Sequence, residues 1–415
     1  MHGLYDGGHG AGLDDFWNLM IQNPLSAGGF LWDFADQGVV RHDKNNEIDT
    51  DGNHASDGIL GPYREKEGSF YTIREIWSPV YLEGKNFLPS SFDGKIKVHN
   101  RFHFTNLNQC RFKAEWIKHN YLNGSKESKP TNVSVPDVKP GFAGILEIEL
   151  PREKQSAYDA LRITATDPHG KEIYSWTKTI TSPKDYAAKL IDKDVKGTST
   201  RQEKDENLLL STGSTSVELN KTTGTIQGLK VGNAVLPLTN GPLFTDKSLK
   251  LSQIEQTEQN GIPVTRLLYS IENNKSTRNY VELTLLPSGW LELKYSFDKG
   301  GEHDVIGVTF DFPEERVKQV KWLGNGPYRV WKNRLKGVQF DQWEKKYNNT
   351  VTGESWEYPE FKGFHSNIYA ADLDTDYGKL KMVVASDDLF LHLFTPEKQV
   401  HRNNDNTLGI FPEGQ

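Results

Sequence analysis

The chain is poor in the features that would place it quickly. It has one cysteine, Cys110, in 415 residues, so no internal disulfide can form. Its strand-like surroundings read as those of a buried thiol rather than a redox centre. Basic residues are not in surplus: 49 Lys and Arg stand against 56 Asp and Glu, for a formal net charge of −7. With no basic cluster either, a nucleic-acid partner is disfavoured. No apolar run is long enough to span a bilayer and the mean hydropathy is −0.65, which argues against insertion in a membrane as a helix. The opening residues lack the basic-then-apolar order of a signal peptide, and the choice between periplasm and cytoplasm stays open. There is no internal repeat or low-complexity tract. The length fits two to three domains with real cores.

What the chain does have is concentrated in one run, Ser26-Ala27-Gly28-Gly29-Phe30-Leu31-Trp32-Asp33-Phe34-Ala35-Asp36-Gln37-Gly38. It reads as a short apolar strand, Gly29 to Trp32, ending in aromatic rings and acids before a glycine releases it into a loop. In a barrel of parallel strands wrapped by helices, active-site groups sit at such C-terminal strand ends. Upstream, Leu13, Phe16, Trp17, Met20 and Ile21 recur at helical spacing, with Asp14 and Asp15 in the first turn and Pro24 beyond the end. Downstream, Phe70, Ile73 and Trp77 repeat helically until Pro79. Helix, strand, loop and helix make one slice of a barrel.

The segment Gly28 to Gln37, the later Asp57-Gly58-Ile59-Leu60, and Trp322-Leu323-Gly324-Asn325-Gly326-Pro327 with Asn333-Arg334 resemble, in order and spacing, the C-terminal half of glycoside hydrolase family 2 β-galactosidases. The resemblance extends over essentially the whole chain. The same family also includes glucuronidases and mannosidases. It implies retaining hydrolysis of terminal β-galactosyl residues, which needs two carboxyl groups about 5 Å apart. In the family both lie on earlier barrel strands, so the expectation is that both fall upstream of Met1 and that no catalytic residue is in this chain. Met1-His2-Gly3-Leu4-Tyr5-Asp6 looks like the tail of the nucleophile motif, and the chain stops before the family's last strands. The reading is therefore of a fragment cut at both ends, inactive alone. The resemblance also implies Mg and Na in the intact enzyme, a β-galactoside or oligosaccharide substrate, and a candidate homo-oligomer.

After Pro79 the pattern switches to period two. Ile96, Val98, Phe102 and Phe104 alternate with Lys97, His99, Arg101 and His103; Leu146, Ile148 and Leu150 alternate with acids; Leu161, Ile163 and Ala165 follow. Short strands punctuated by turns predict an immunoglobulin-like sandwich over residues 86–184. Residues 182–207 read as a linker. Strands then resume, with hairpins across Lys221-Thr222-Thr223-Gly224 and Leu286-Pro287-Ser288-Gly289. The expected fold is thus mainly β: residues 1–85 as the C-terminal remnant of a TIM (β/α)8 barrel, then that sandwich, then an incomplete large terminal sandwich over 185–415, of the galactose mutarotase-like kind.

Several side chains carry two readings. His2 matches a histidine that lines the family's galactose pocket, against a mobile terminal residue. Trp32 offers a flat apolar face to a pyranose, against a core tryptophan. Asp33 and Asp36 resemble an acid–base pair, but three residues apart they cannot straddle a glycosidic bond, and bonds to loop backbone account for them better. The acidic loop Asp43, Glu47, Asp49, Asp51 lacks the EF-hand spacing and reads as solvated. Asp57 stands where the family has an asparagine that helps bind sodium and the galactose 6-hydroxyl. His54 replaces a frequent phenylalanine whose carbonyl is a metal ligand. Trp322, Tyr328, Trp331, Trp343, Trp356 and Tyr358 form either a carbohydrate face or packed core, core being favoured. The competing functions are a non-catalytic carbohydrate-binding or scaffolding module, and a family 2 hydrolase of another β-glycoside.

Overall fold

A computed structural model describes residues 12–50, 58–64, 66, 68–192, 195–271, 278–298, 300–301, 306–330, 332, 335–346, 364–387 and 389–393. The protein is mainly β, and its described strands form open sheets without barrel closure. It divides into two compact units: Met1–Ala187 with Gln319–Leu373 and Leu380–Gln415, and Ala188–Lys318 with Asp374–Lys379.

The first unit begins with the helix Leu13–Gln22, where the apolar period placed it; Asp14 and Asp15 sit in its first turn. The expected strand from Gly29 to Trp32 does not form: these residues join no ladder. Pairing instead starts at Ala35, which makes a parallel bridge to Leu60, with Asp36 N–H donating to Leu60 O at 2.8 Å. A parallel strand needs a neighbour alongside it, and among the described residues the 58–60 stretch reaches only the far end of the run. A hairpin, Gly38–Arg41 with Glu47–Thr50, follows. The second helix, Gly68–Ile76, buries Ser69, Thr72, Ile73 and Ile76. Arg74 fixes it to the next layer by donating to the carbonyls of Ile173 at 3.0 Å and Glu172 at 2.9 Å.

That next layer is a sandwich of two four-stranded sheets. One runs Val80–Leu82, Lys95–Asn100, Ala143–Ile148, Val133–Ser134; the other Glu172–Thr179, Ala160–Thr166, Arg111–Asn120, Ser125–Thr131. Their inner faces share one core, including Val80, Ile96, Val98, Leu107, Trp116, Leu146, Leu161 and Ile163. Alternation holds through Val98 but stops at Asn100, whereas the sequence pattern extended the strand to Phe104. The buried Asn100 amide donates to the Thr105 and Val138 carbonyls, each at 2.8 Å, and its Oδ1 accepts from Phe102 N–H. These bonds turn the chain out of the sheet and leave Phe104 96% exposed. A further four-stranded sheet, most of whose residues belong to this unit, orders Gln339–Lys346, Val317–Gly326, Ala370–Thr375 and Gly378–Val383.

The second unit is built of antiparallel meanders. Thr200–Lys204, Asn207–Thr212, Thr215–Asn220, Ile226–Val231 and Ala234–Leu236 make a five-stranded sheet, and Lys250–Gln259, Ile262–Ser270, Tyr280–Leu285 and Leu291–Ser296 a four-stranded one. Both hairpins read from the sequence form. Leu285 faces Leu291 across the second, whose Gly289 takes φ 88°, a left-handed conformation that costs glycine little. The stretch read as a linker is partly regular: Pro183–Leu190 is helical and Thr200–Lys204 is a strand.

Candidate functional site

Two of the sequence motifs converge. The parallel bridge sets Ala35 beside Leu60, and the buried Asp36 carboxylate accepts from Gly58 N–H at 2.7 Å. Position 58 has room for nothing larger than glycine, since a Cβ there would meet Asp36 N at 2.4 Å and Leu60 O at 2.5 Å. Asp33 Oδ1 accepts from the Phe34 N–H. Both carboxylates are therefore engaged with backbone amides, Asp36 inside the protein and Asp33 at its surface.

Above this knot the rings face outward. Trp32 is 72% exposed, and Phe30 and Phe34 are exposed beside it. The Trp32–Asp33 peptide bond is cis. An uncovered indole face is chemically able to stack on the C–H side of a sugar, with its N–H left for an acceptor. His2, His54 and Asp57 lie outside the described residues, so Trp32 is the member of the expected sugar-binding shell whose position can be given. Among the described residues no group of three or more His, Cys, Asp or Glu side chains is arranged to hold a metal ion. In the hairpin beyond, Arg41 holds Asp43 through two bonds, at 2.8 and 2.6 Å, and Asp49 at 2.6 Å. The guanidinium beside it keeps the Asp43 carboxyl below its usual range.

The third motif is a packing device in the same unit. Trp322 is buried, with its Nε1–H donating to Asn325 O at 2.8 Å and its ring 4.5 Å from that of His365. A Cβ at Gly326 would lie 2.6 Å from the Trp343 ring, whose Nε1–H donates to Gly324 O. Tyr328 is buried too, against Tyr71 of the second helix. Trp331, Trp356 and Tyr358, like Asn333 and Arg334, lie outside the described residues.

A residue with no sequence signal, Glu75, ties these parts together. It accepts from Tyr174 Oη at 3.0 Å and from Gly337 N–H, and pairs with Lys336 at 3.3 Å. Thr72 Oγ1 donates to Lys336 O at 3.2 Å one turn earlier. The helix after Leu60 is thus held by groups far along the chain, which fixes the stub carrying Gly58. Its facing positions, Thr72 and Glu75, are three apart, but nothing local marks their partners. Among the described residues no helix is long and apolar enough to cross a membrane.

Against known proteins, no family model matches the chain. A β-galactosidase of Actinobacillus pleuropneumoniae is 27% identical over 148 residues, which is 34% of this chain and 13% of that relative. The matched stretch is thus a small part of the relative's length. Together with the β-rich architecture, the likeness supports a glycosidase-like relationship for this protein.

Proposed function

We propose that this chain is the C-terminal region of a glycoside hydrolase family 2 enzyme, a retaining β-galactosidase, and that the catalytic carboxylates are supplied by polypeptide outside these residues. In this reading residues 1–85 close the barrel, 86–184 form the immunoglobulin-like sandwich, and 185–415 contribute the large terminal sandwich. The observation that carries it is the parallel contact of Ala35 with Leu60, flanked by the helices Leu13–Gln22 and Gly68–Ile76. Parallel neighbours need a long connection, here residues 36–59 with the hairpin Gly38–Arg41 and Glu47–Thr50, and such pairs are what barrels and doubly wound sheets are made of. The similarity to a β-galactosidase supports the same choice.

Trp32 is then the platform for the sugar's apolar face, with His2 and Asp57 hydrogen-bonding its hydroxyls and Asp57 and His54 contributing to a cation site. Asp33 and Asp36 hold the loop that carries the indole. The test is to join the chain to the barrel-coding sequence that the reading requires and assay a panel of chromogenic β-glycosides. Turnover of the β-galactoside, lost by more than ten-fold in Trp32→Ala, is the expected result, a stacking and pocket loss of at least about 1.4 kcal/mol. Activity confined to a glucuronide or mannoside would move the substrate assignment. Full activity of the chain alone would overturn the reading.

A further inference from the structure

The chain contains four Asn-Gly pairs: Asn123-Gly124, Asn240-Gly241, Asn260-Gly261 and Asn325-Gly326. In this dipeptide the main-chain nitrogen of glycine can reach the asparagine side-chain carbonyl, because no glycine Cβ blocks the approach. The local chemistry is the same at all four, so the fold decides which of them reacts.

Three are restrained. Asn123 Oδ1 accepts from Ser125 N–H at 2.9 Å, and Gly124 N–H donates to Tyr121 O. Asn240 Nδ2 donates to Asp311 Oδ2 at 2.8 Å, with Gly241 packed against Phe310 and the Thr309 carbonyl. Asn325 Nδ2 donates to Ser366 Oγ at 3.0 Å, and Gly326 is held in register opposite Gln339. Asn260 differs in each respect. It and Gly261 form the exposed two-residue loop between Lys250–Gln259 and Ile262–Ser270, closed by the Gln259–Ile262 pair. Among the described residues neither its side-chain amide nor the Gly261 N–H has a partner. Their φ values of 52° and 75° give the tight turn in which Asn-Gly is favoured. A hairpin tip is also where local opening costs least.

We propose that Asn260 is the protein's principal site of spontaneous covalent modification. The Gly261 nitrogen attacks Cγ of Asn260; the new C–N bond forms as the Cγ–Nδ2 bond breaks, and the departing nitrogen takes the Gly261 proton to leave as ammonia. Water then opens the resulting imide at either carbonyl, giving aspartate or isoaspartate. Each event adds a negative charge to the tip. The isoaspartate product adds a methylene to the main chain, which a two-residue loop with fixed strand register cannot absorb without slipping.

The experiment is ageing of the full chain at mildly alkaline pH, with peptide mapping of asparagine-to-aspartate conversion, done both folded and in denaturant. In denaturant the four sites should convert at similar rates. In the folded protein Asn260 should retain most of its unfolded rate while the other three slow several-fold, and the Asn260→Gln chain should lose the larger share of total conversion. Equal protection at all four sites, or faster conversion at Asn123, Asn240 or Asn325, would overturn the assignment.

Discussion

Asp341 gathers several charged groups in the first unit. Its carboxylate receives Arg162 at 2.6 Å and Lys126 at 2.9 Å, and Gln342 N–H bonds to it at 2.8 Å, with His119 Nδ1 3.9 Å away. Burial alone would raise its pKa, but Arg162 and Lys126 outweigh that and hold the group below the usual carboxylate range. Its contribution is therefore present above the unfolded-state value and lost as pH falls through the folded one. Replacing it with asparagine removes the counter-charge of two cations at a joint between the sandwich and the sheet that holds Gln339–Lys346. Urea unfolding of Asp341→Asn should show a loss of about 2–3 kcal/mol. His119 and His365 act in the opposite chemical sense with the same pH direction. Burial pushes His119 down to about 4, against the pull of Asp341 and Asp159, and pushes His365 down to about 3, aided by Arg329 and Lys345. Both are neutral in the folded state while the unfolded chain takes up protons near pH 6.5. Stability should fall as pH drops from about 6.5 towards 4, by up to about 1.4 kcal/mol per pH unit for each histidine. The slope should shrink in His119→Gln; an unchanged slope would remove His119 from the account.

At the scale of elements, the helix Pro183–Leu190 shows what a sequence reader can miss and why. Its overall composition is polar, and it lies inside a stretch that reads as a linker. The start signal is nonetheless present: Ser182 Oγ accepts from Asp185 N–H at 3.1 Å and donates to Asp185 Oδ2 at 2.8 Å, with proline between them in the first helical turn. Serine, proline and an acid three residues on is a capping pattern that satisfies otherwise orphaned amides. Ser182→Ala should cost about 1 kcal/mol, measured by thermal unfolding. By contrast, the helices at Leu13 and Gly68 and the hairpin at Gly289 were legible because periodicity and turn residues are local. The extent of the strand ending at Asn100 was not, since its end is set by carbonyls at Thr105 and Val138 that only the fold brings near. The Gly29–Trp32 run failed for the complementary reason: its composition suits a strand, but a strand exists only with a partner. Of the candidate site, the placing of Trp32 and Asp57 in one sugar-binding shell rested on resemblance, whereas the contact of Asp36 with Gly58 and the Glu75 anchor left no trace in local sequence.

At the scale of the whole molecule, apolar surface is unevenly covered. The sandwich buries Trp116, Leu146, Leu161 and Ile163 completely, whereas the helix Leu13–Gln22 has no buried residue despite its apolar stripe. Phe16, Leu19, Leu25, Phe30, Trp32, Phe34, Val39 and Val40 are all exposed within one short span. So many exposed apolar side chains in one short stretch of sequence mark a contact site or an aggregation liability. Under the proposed function the rest of the barrel covers this surface apart from Trp32, which faces the sugar. Limited proteolysis should cut within residues 12–49 well before it cuts the sandwich, because Asp36 is the single buried residue among those described there and local opening is cheap. The decisive comparison is the double variant Phe16→Gln, Leu19→Gln. In the chain as it stands these residues contact solvent, so the change should reduce aggregation and leave the sandwich's stability unchanged within about 0.5 kcal/mol. In the protein carrying the remaining barrel the same change would bury two amides against apolar neighbours, at a cost of at least about 2 kcal/mol, and should lower its stability and glycosidase activity together. Equal tolerance in both contexts would mean that nothing covers this helix, and the barrel assignment for residues 1–85 would fall with it.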